Sequence, residues 1–388
     1  GFRAWAGAGG MMDGLLVRPD PLGALVRDFA SRAAAHDREG SFPHANFTAL
    51  HEAGMLGLTA RQADGGEEAG LERACALVGR VAEGCPATAL VLAMQLIQIR
   101  GLVTDPHVPE HIKALVGREA VERGALVNAL RVEPELGSPA RGGLPGTVAR
   151  RTAEGWRVSG RKIYSTGVPG LRWMLVWLRT DEERPRIGSL LVRADTPGVR
   201  FEESWDQAGL RASGSHDVVF EDALVPLEHA VDLRLPEERG GPGAQHGAWN
   251  TLMIAALYNG VARAARDWLV GFLKGRVPAN LGRPLATLPR MQEAVGRIEA
   301  LLATNDRLVA SGARDAGLEA AEAGLIKTVA AENAIAVVQE AVALCGNHAL
   351  ARSNPLERHL RDVLCARIHT PQPDSAYGVA GRRALGVN

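Results

Sequence analysis

At 388 residues the chain has room for two or three compact units, taking about 100–200 residues per domain. Its 44 basic and 44 acidic residues balance, which removes any global electrostatic pull toward nucleic acid or an anionic membrane surface. A hydrophobic content of 46% supplies ample core, while the scarcity of aromatics (4%) against plentiful Ala, Leu and Val favours helix over a β-sandwich.

In chain order, residues 1–19 read as a leader- or tag-like, disordered stretch, since the apolar patch in GFRAWAGAGGMM is too short for a signal-peptide core. Residues 20–125 read as an N-terminal helical domain. Arg27–Ala35 and Leu71–Val81 repeat apolar residues at spacings of three and four. Ala87–Ile99 is opened by Pro86 at a first helical position, and Glu110–Arg123 is amphipathic and stops at Gly124.

Over 126–236 the period shortens to two. Thr147–Arg151, Gly155–Ser159, Leu171–Arg179, Ile187–Val192, Val199–Glu202 and Asp217–Phe220 read as strands separated by Gly/Pro/Asp turns. Short strands at this spacing suggest a small barrel or sandwich. A Gly/Pro-rich linker is expected over 237–247, and long helices over 248–388. The longest is expected at Leu318–Leu344, about 40 Å at 1.5 Å per residue. Its stripe of Ile326, Ala330, Ala334, Val337, Ala341 and Leu344 describes a helical bundle.

No run approaches the ~18 apolar residues of a membrane span. Cys75, Cys85, Cys345 and Cys365 form no CxxC pair and read as buried free thiols of a cytoplasmic protein. No G-x-G-x-x-G follows a strand, and P-loop, H-E-x-x-H and G-x-S-x-G motifs are missing, so neither a Rossmann unit nor a metal site is implied. The run Ser213-Gly214-Ser215-His216-Asp217 carries the residue types of a nucleophile triad, but neighbours alternating along a strand cannot assemble one.

Four stretches in order carry a resemblance. They are Glu133-Pro134-Glu135-Leu136-Gly137-Ser138; Gly160-Arg161-Lys162-Ile163-Tyr164-Ser165-Thr166-Gly167; Trp205 through Gly209-Leu210-Arg211-Ala212-Ser213 and on to Val225-Pro226; and Leu356-Glu357-Arg358-His359-Leu360-Arg361-Asp362. Together they resemble the acyl-CoA dehydrogenase superfamily over about 20–386. The resemblance implies an α+β, mainly α fold of helical domain, β-barrel-like middle domain and four-helix bundle. It also implies a flavin between barrel and bundle, and dimers or tetramers built through the bundle. By it, Ser138 approaches the flavin phosphate or the substrate. Ser165 and Thr166 lie near the reactive flavin edge, with Tyr164 where the family often has Trp. Arg276 and Gly346 match reduced forms of the family's cofactor-contacting motifs, and Gln292 stands where the bundle contacts a neighbouring subunit's flavin. Arg211 reads as a buried structural bridge between barrel and bundle.

The resemblance breaks at the catalytic base. The family's carboxylate follows the Arg-Asp pair by eight residues, where Asp362 leads here to Thr370. An alternative seat on the first bundle helix, ten residues before Gly260, is Asn250. A desolvated carboxylate near the flavin is what removes the α-proton of a thioester, so both empty seats argue against ordinary dehydrogenation.

Lys162-Ile163-Tyr164-Ser165-Thr166-Gly167 is similar instead to the superfamily's flavin monooxygenases. These carry a His seven residues past the Arg-Asp pair, matched by His369. They take reduced flavin from a partner reductase. A neutral imidazole suits proton transfer there, since His titrates near ~6.5 when unperturbed.

FAD is expected from the family and FMN from the monooxygenase branch. The reading is therefore a flavin oxidoreductase leaning to oxygen transfer onto a small apolar or heteroatom substrate. One alternative is an acyl-CoA dehydrogenase with a base elsewhere, Glu133 or Glu135 being candidates. Another is a flavin-binding protein without catalysis.

Overall fold

A computed structural model describes residues 21–135, 143–239 and 244–387. Five helices come first: α1 (Pro21–Glu39), α2 (His44–Glu52), α3 (Leu71–Gly84), α4 (Pro86–Thr104) and α5 (Glu110–Arg123). Pro86 opens α4, where its missing N–H is one the helix end would leave unpaired anyway, and Gly124 ends α5 in the left-handed conformation. Helix α4 is apolar and buried on nearly every side, as a central core helix should be.

The middle of the chain forms one curled sheet. Its strands are β1 (Leu126–Leu130), β2 (Val148–Arg151), β3 (Trp156–Ser165), β4 (Leu171–Thr180), β5 (Ile187–Arg193), β6 (Val199–Glu202) and β7 (His216–Val225). Their order is β1-β4-β2-β3-β7-β6, with β5 added on β4. All six expected strands are present, but β3 and β7 run well past their expected ends. The pairing of these two strands shifts between Val158 and Gly160 and again between Lys162 and Ser165, so their inward–outward alternation is broken in the middle. Strand β1 was not expected. It is a nearly continuous buried run without alternation, and it pairs parallel to β4.

The bundle contains α6 (Ala244–Gly275), α7 (Pro289–Arg314), α8 (Ala320–Cys345), α9 (Asn347–Leu350), α10 (Leu356–Leu364) and α11 (Pro373–Leu385). Two expectations need correction here. The longest helix is α6, with 32 residues, and it begins at Ala244 inside the expected linker. Among the described residues two helices, α4 and α8, are long and apolar enough by length and composition to cross a membrane. Both serve as core helices: α4 packs on α3, α6 and β1, and α8 on α6, α7 and α10. The α8 stripe from Ile326 to Ala341 is buried as expected, with Leu344 only partly so.

Close backbone contact joins the first helices to the bundle. A Cβ on Gly260 of α6 would stand 2.2 Å from the Gly79 carbonyl oxygen of α3, so only glycine permits this approach. Inside the bundle, buried Asn305 of α7 donates to Asn259 of α6 at 3.0 Å and to the Ala330 carbonyl of α8 at 2.9 Å. A satisfied buried amide of this kind fixes one register among the three helices.

The expected role of Arg211 also changes. It is only partly buried and donates to the Asp37 carbonyl at 2.7 Å and to Asp206 at 2.9 Å, tying the sheet to α1 and not to the bundle. Arg361 of α10 makes the bridge instead, reaching the Ala208 carbonyl at 2.7 Å and the Asp37 carboxylate at 2.9 and 2.6 Å. Beside it, the Asp362 carboxylate accepts the Leu210 N–H at 2.7 Å. The Arg-Asp pair singled out in the sequence is thus a joint between sheet, α1 and bundle.

Candidate active site

The bundle half of the site is laid along one face of α6. Asn250 and Tyr258 are eight residues apart, two steps of four, and so project from the same side. The segment between α10 and α11 crosses that face. The Asn250 Nδ2 donates to the Thr370 carbonyl at 3.4 Å, and the Tyr258 hydroxyl is hydrogen-bonded to His369 Nδ1 at 2.8 Å. Asn250, far in sequence from the adjacent pair His369-Thr370, is brought beside them. The contact is made through the Thr370 backbone carbonyl, so the main chain at the second expected carboxylate position lies against Asn250.

His369 is held neutral. Burial pushes its pKa down to about 4, helped by the Lys327 ammonium. Tyr258 is fully buried, and burial raises its phenol well above the ordinary value, so it stays protonated. Since Tyr258 occupies Nδ1, the other ring nitrogen is the one left for a reacting partner.

The barrel half lies at the end of β3. Tyr164 has a left-handed backbone (φ 55°) and is 57% exposed, its ring edge-on to Trp205 at 6.3 Å. Ser165 is 1% exposed, yet its Oγ has no hydrogen-bond partner among the described residues. Thr166 Oγ1 is bonded to Ser215 Oγ at 3.0 Å, and Ser215 Oγ to Ser213 Oγ at 2.7 Å, while Asn128 Nδ2 donates to the Thr166 carbonyl at 3.0 Å. His216 Nδ1 accepts the Trp205 N–H at 3.1 Å, and Asp217 is bonded to Ser204 and Arg161. The Ser213–Asp217 run thus forms a hydroxyl chain behind Thr166 and no triad.

Glu133 is not a free base. It accepts from Lys162 Nζ at 2.6 Å, from the Thr147 N–H and hydroxyl at 3.0 and 2.7 Å, and from the Gly146 N–H at 2.6 Å. Burial raises its pKa, but these donors outweigh burial and hold it below the usual carboxylate range. Glu135 is exposed, and Ser138 lies outside the described residues.

Arg276, Gln292 and Gly346 fall elsewhere. They sit just past α6, in the first turn of α7 and at the end of α8. Twenty-six residues of α6 separate Arg276 from Asn250, about 39 Å at 1.5 Å per residue. At this far end Gln292 donates to the Ala286 carbonyl at 3.1 Å, Arg276 is exposed, and Gly346 opens onto free space. A single chain cannot close these three around the Asn250 site.

A flavin fits the barrel half on one observation: a buried hydroxyl with no protein partner. Left so, such a group costs about 1–3 kcal/mol, whereas a ligand heteroatom would satisfy it. Sequence reasoning missed Asn128, Tyr258 and Lys327, and it set Ser213 and Ser215 aside with the rejected triad. Tyr258 was findable, being one of three tyrosines in the chain and set in an Ala-rich helix.

Three domain models match along the chain: the acyl-CoA dehydrogenase N-terminal domain over residues 22–104, the middle domain over 131–223 and the C-terminal domain over 252–372. The chain belongs to the acyl-CoA dehydrogenase superfamily. It is a flavin-dependent oxidoreductase of that family. It is 33% identical over 92% of its length to the provisionally named acyl-CoA dehydrogenase YdbM of Bacillus subtilis, covering 93% of that protein. It is also 30% identical over 95% of its length to an L-evernosamine nitrososynthase of Micromonospora, covering 90% of it. The structure of KijD3 with FMN and a dTDP-amino-keto-sugar is 27% identical, with a TM-score of 0.77 over 95% of this chain and 93% of that one. Butyryl-CoA dehydrogenase of Megasphaera elsdenii shares the fold at 22% identity, with a TM-score of 0.81 over 96% of this chain and all (100%) of that one.

Proposed function

We propose that the chain is a flavin monooxygenase-type member of the family, one that transfers oxygen to a heteroatom of a small substrate and does not desaturate an acyl thioester. The observation that carries this reading is the pairing of Asn250 with Thr370. Both positions where the resemblance expects a proton-abstracting carboxylate hold neutral side chains, and the Asn250 amide reaches the Thr370 backbone carbonyl. Neither an amide nor a threonine hydroxyl can take the proton of a weak carbon acid, and a general base is worth about 10²–10⁴ in rate. The similarity to a nitrososynthase and to an FMN-bound relative supports the same direction, and FMN is the form of flavin we assign.

A bound reduced flavin supplies two electrons, delivered to it by a partner reductase; one atom of O2 goes to the substrate and the other leaves as water. In this reading Ser165 holds the flavin by hydrogen bond, and Tyr164 covers it. Thr166 is oriented by Ser215 and Asn128. His369, neutral and fixed through Nδ1 by Tyr258, hands on a proton from its other nitrogen. Asn250 and Thr370 shape the substrate side. The test is turnover under 18O2 with a flavin reductase and a panel of primary amines, thioethers and amino sugars. Label in the product supports the reading; flavin reoxidation that gives only hydrogen peroxide with every substrate contradicts it.

A further inference from the structure

We propose that Lys327 is a positioning residue that holds the His369–Thr370 segment in place against α6. The segment between α10 and α11 has little regular structure to fix it. Lys327 of α8 supplies that fixation from beneath. Its side chain is fully buried, and Nζ donates to the carbonyls of Ala366 at 2.7 Å, His369 at 2.7 Å and Pro371 at 3.0 Å. An ammonium has three N–H donors and no acceptor, so all three are engaged by one short stretch of chain.

No carboxylate among the described residues pairs with it. Glu332, further along α8, is held by the Arg367 guanidinium at 2.8 and 2.7 Å. An unpaired buried cation is costly unless its protons are all hydrogen-bonded, and three carbonyl oxygens meet that need. The geometry calls for the protonated amine, because a neutral one would turn a lone pair toward one of the three oxygens. Burial draws its pKa down only to about 8, which leaves it charged at neutral pH.

Thr370 lies between two residues captured in this way, so its carbonyl is presented to Asn250, and His369 is set against Tyr258. The same charge helps keep the His369 imidazole neutral. The inference takes its functional meaning from the reading of His369 and Thr370 given above, but the holding itself is testable without substrate or flavin.

The test is trypsin cleavage after Arg367, which requires this segment to open. Cleavage of a transiently opened segment follows the population of its open form. Lys327→Met should raise the rate of that cut by about tenfold or more, with cuts after Lys274 and Arg276 unchanged. Lys327→Ala should behave alike, and added propylammonium, which replaces the deleted atoms, should slow the cut again. Propanol, of similar shape but neutral, should not. Rates are normalised to a peptide standard in the same tube, which removes any effect of the amine on the protease. Unchanged cleavage in Lys327→Met, or equal rescue by propanol, would overturn the proposal. Should Lys327→Met not fold, Lys327→Gln, which keeps two donors, is read by the same cut.

Discussion

The two halves of the site differ in what they leave unsatisfied. In the barrel half a buried hydroxyl, Ser165 Oγ, has no partner among the described residues, next to an exposed Tyr164. In the bundle half Asn250 is bonded to the Thr370 carbonyl, Tyr258 to His369 and Lys327 to three carbonyls, while His359 Nδ1 on α10 has no partner among the described residues. A buried hydroxyl without a protein partner can be satisfied by a ligand, whereas groups bonded to one another fix each other's positions. On the reading proposed above, the unpartnered hydroxyl marks the side that would hold the flavin, and the opposite side presents Asn250 and Thr370 where the family resemblance expects a carboxylate.

This contrast can be broken from either side. The largest effect is expected at His369. His369→Ala should lower oxygen transfer by about 10²–10⁴ and leave flavin affinity within about twofold, read by turnover and by flavin fluorescence titration. A parallel loss of flavin binding would erase the distinction between the halves.

Glu133 comes next. Glu133→Ala leaves Lys162 buried without its partner and should cost about 3–5 kcal/mol of stability, seen as a lower melting temperature. A melting temperature unchanged by the substitution would mean that Lys162 does not depend on Glu133 for its burial.

Titration sharpens the bundle side. His359 is buried and His369 partly so, and both are held neutral. Their pKa values are pushed down to about 3 and about 4, the first by burial and the Arg358 cation, the second by desolvation and the Lys327 cation. The unfolded chain binds their protons from about 6.5 downward, so stability should fall as pH drops from there toward 4. Asp362 opposes this, because burial raises its pKa to about 6 and the folded state takes up its proton first. Two histidines against one aspartate leave about one proton, or roughly 1.4 kcal/mol per pH unit between 6 and 4. Asp362→Asn should steepen that slope, measured by urea unfolding across the range; a slope unchanged by the substitution would contradict this account.

The smallest effect belongs to Ser165. Ser165→Ala should weaken flavin binding by about tenfold, the worth of one hydrogen bond, while the flavin-free protein keeps or slightly gains stability. A flavin-free protein destabilised by this change would mean that the hydroxyl has an internal partner.

Much of the fold could be read from the chain because its signals were local. Pro86 and Gly124 mark helix ends by backbone chemistry alone, and the α8 stripe shows its buried face by spacing. Strand β1 escaped because a parallel, fully buried strand shows no alternation. The start of α6 escaped because its first turn is Ala-Gln-His-Gly, next to a Gly/Pro-rich stretch.

Within the candidate site, Asn250 and Thr370 were reached by counting along the chain from the resemblance. Their mutual contact was not, since it depends on how 120 residues fold back. Lys327 gave no signal at all: its partners are backbone carbonyls, which every residue carries. The role of Arg211 was misassigned for a related reason. Two arginines, Arg211 and Arg361, both serve the same Asp37, and only coordinates show which one reaches across to the bundle.

The most direct test of the central claim is anaerobic mixing of the flavin-loaded protein with a panel of acyl-CoA thioesters, followed by flavin absorbance. The account predicts that the flavin stays oxidised with every thioester, because neither Asn250 nor Thr370 can take an α-proton. Rapid bleaching by any one of them would contradict it and show that a base acts from a position other than these two.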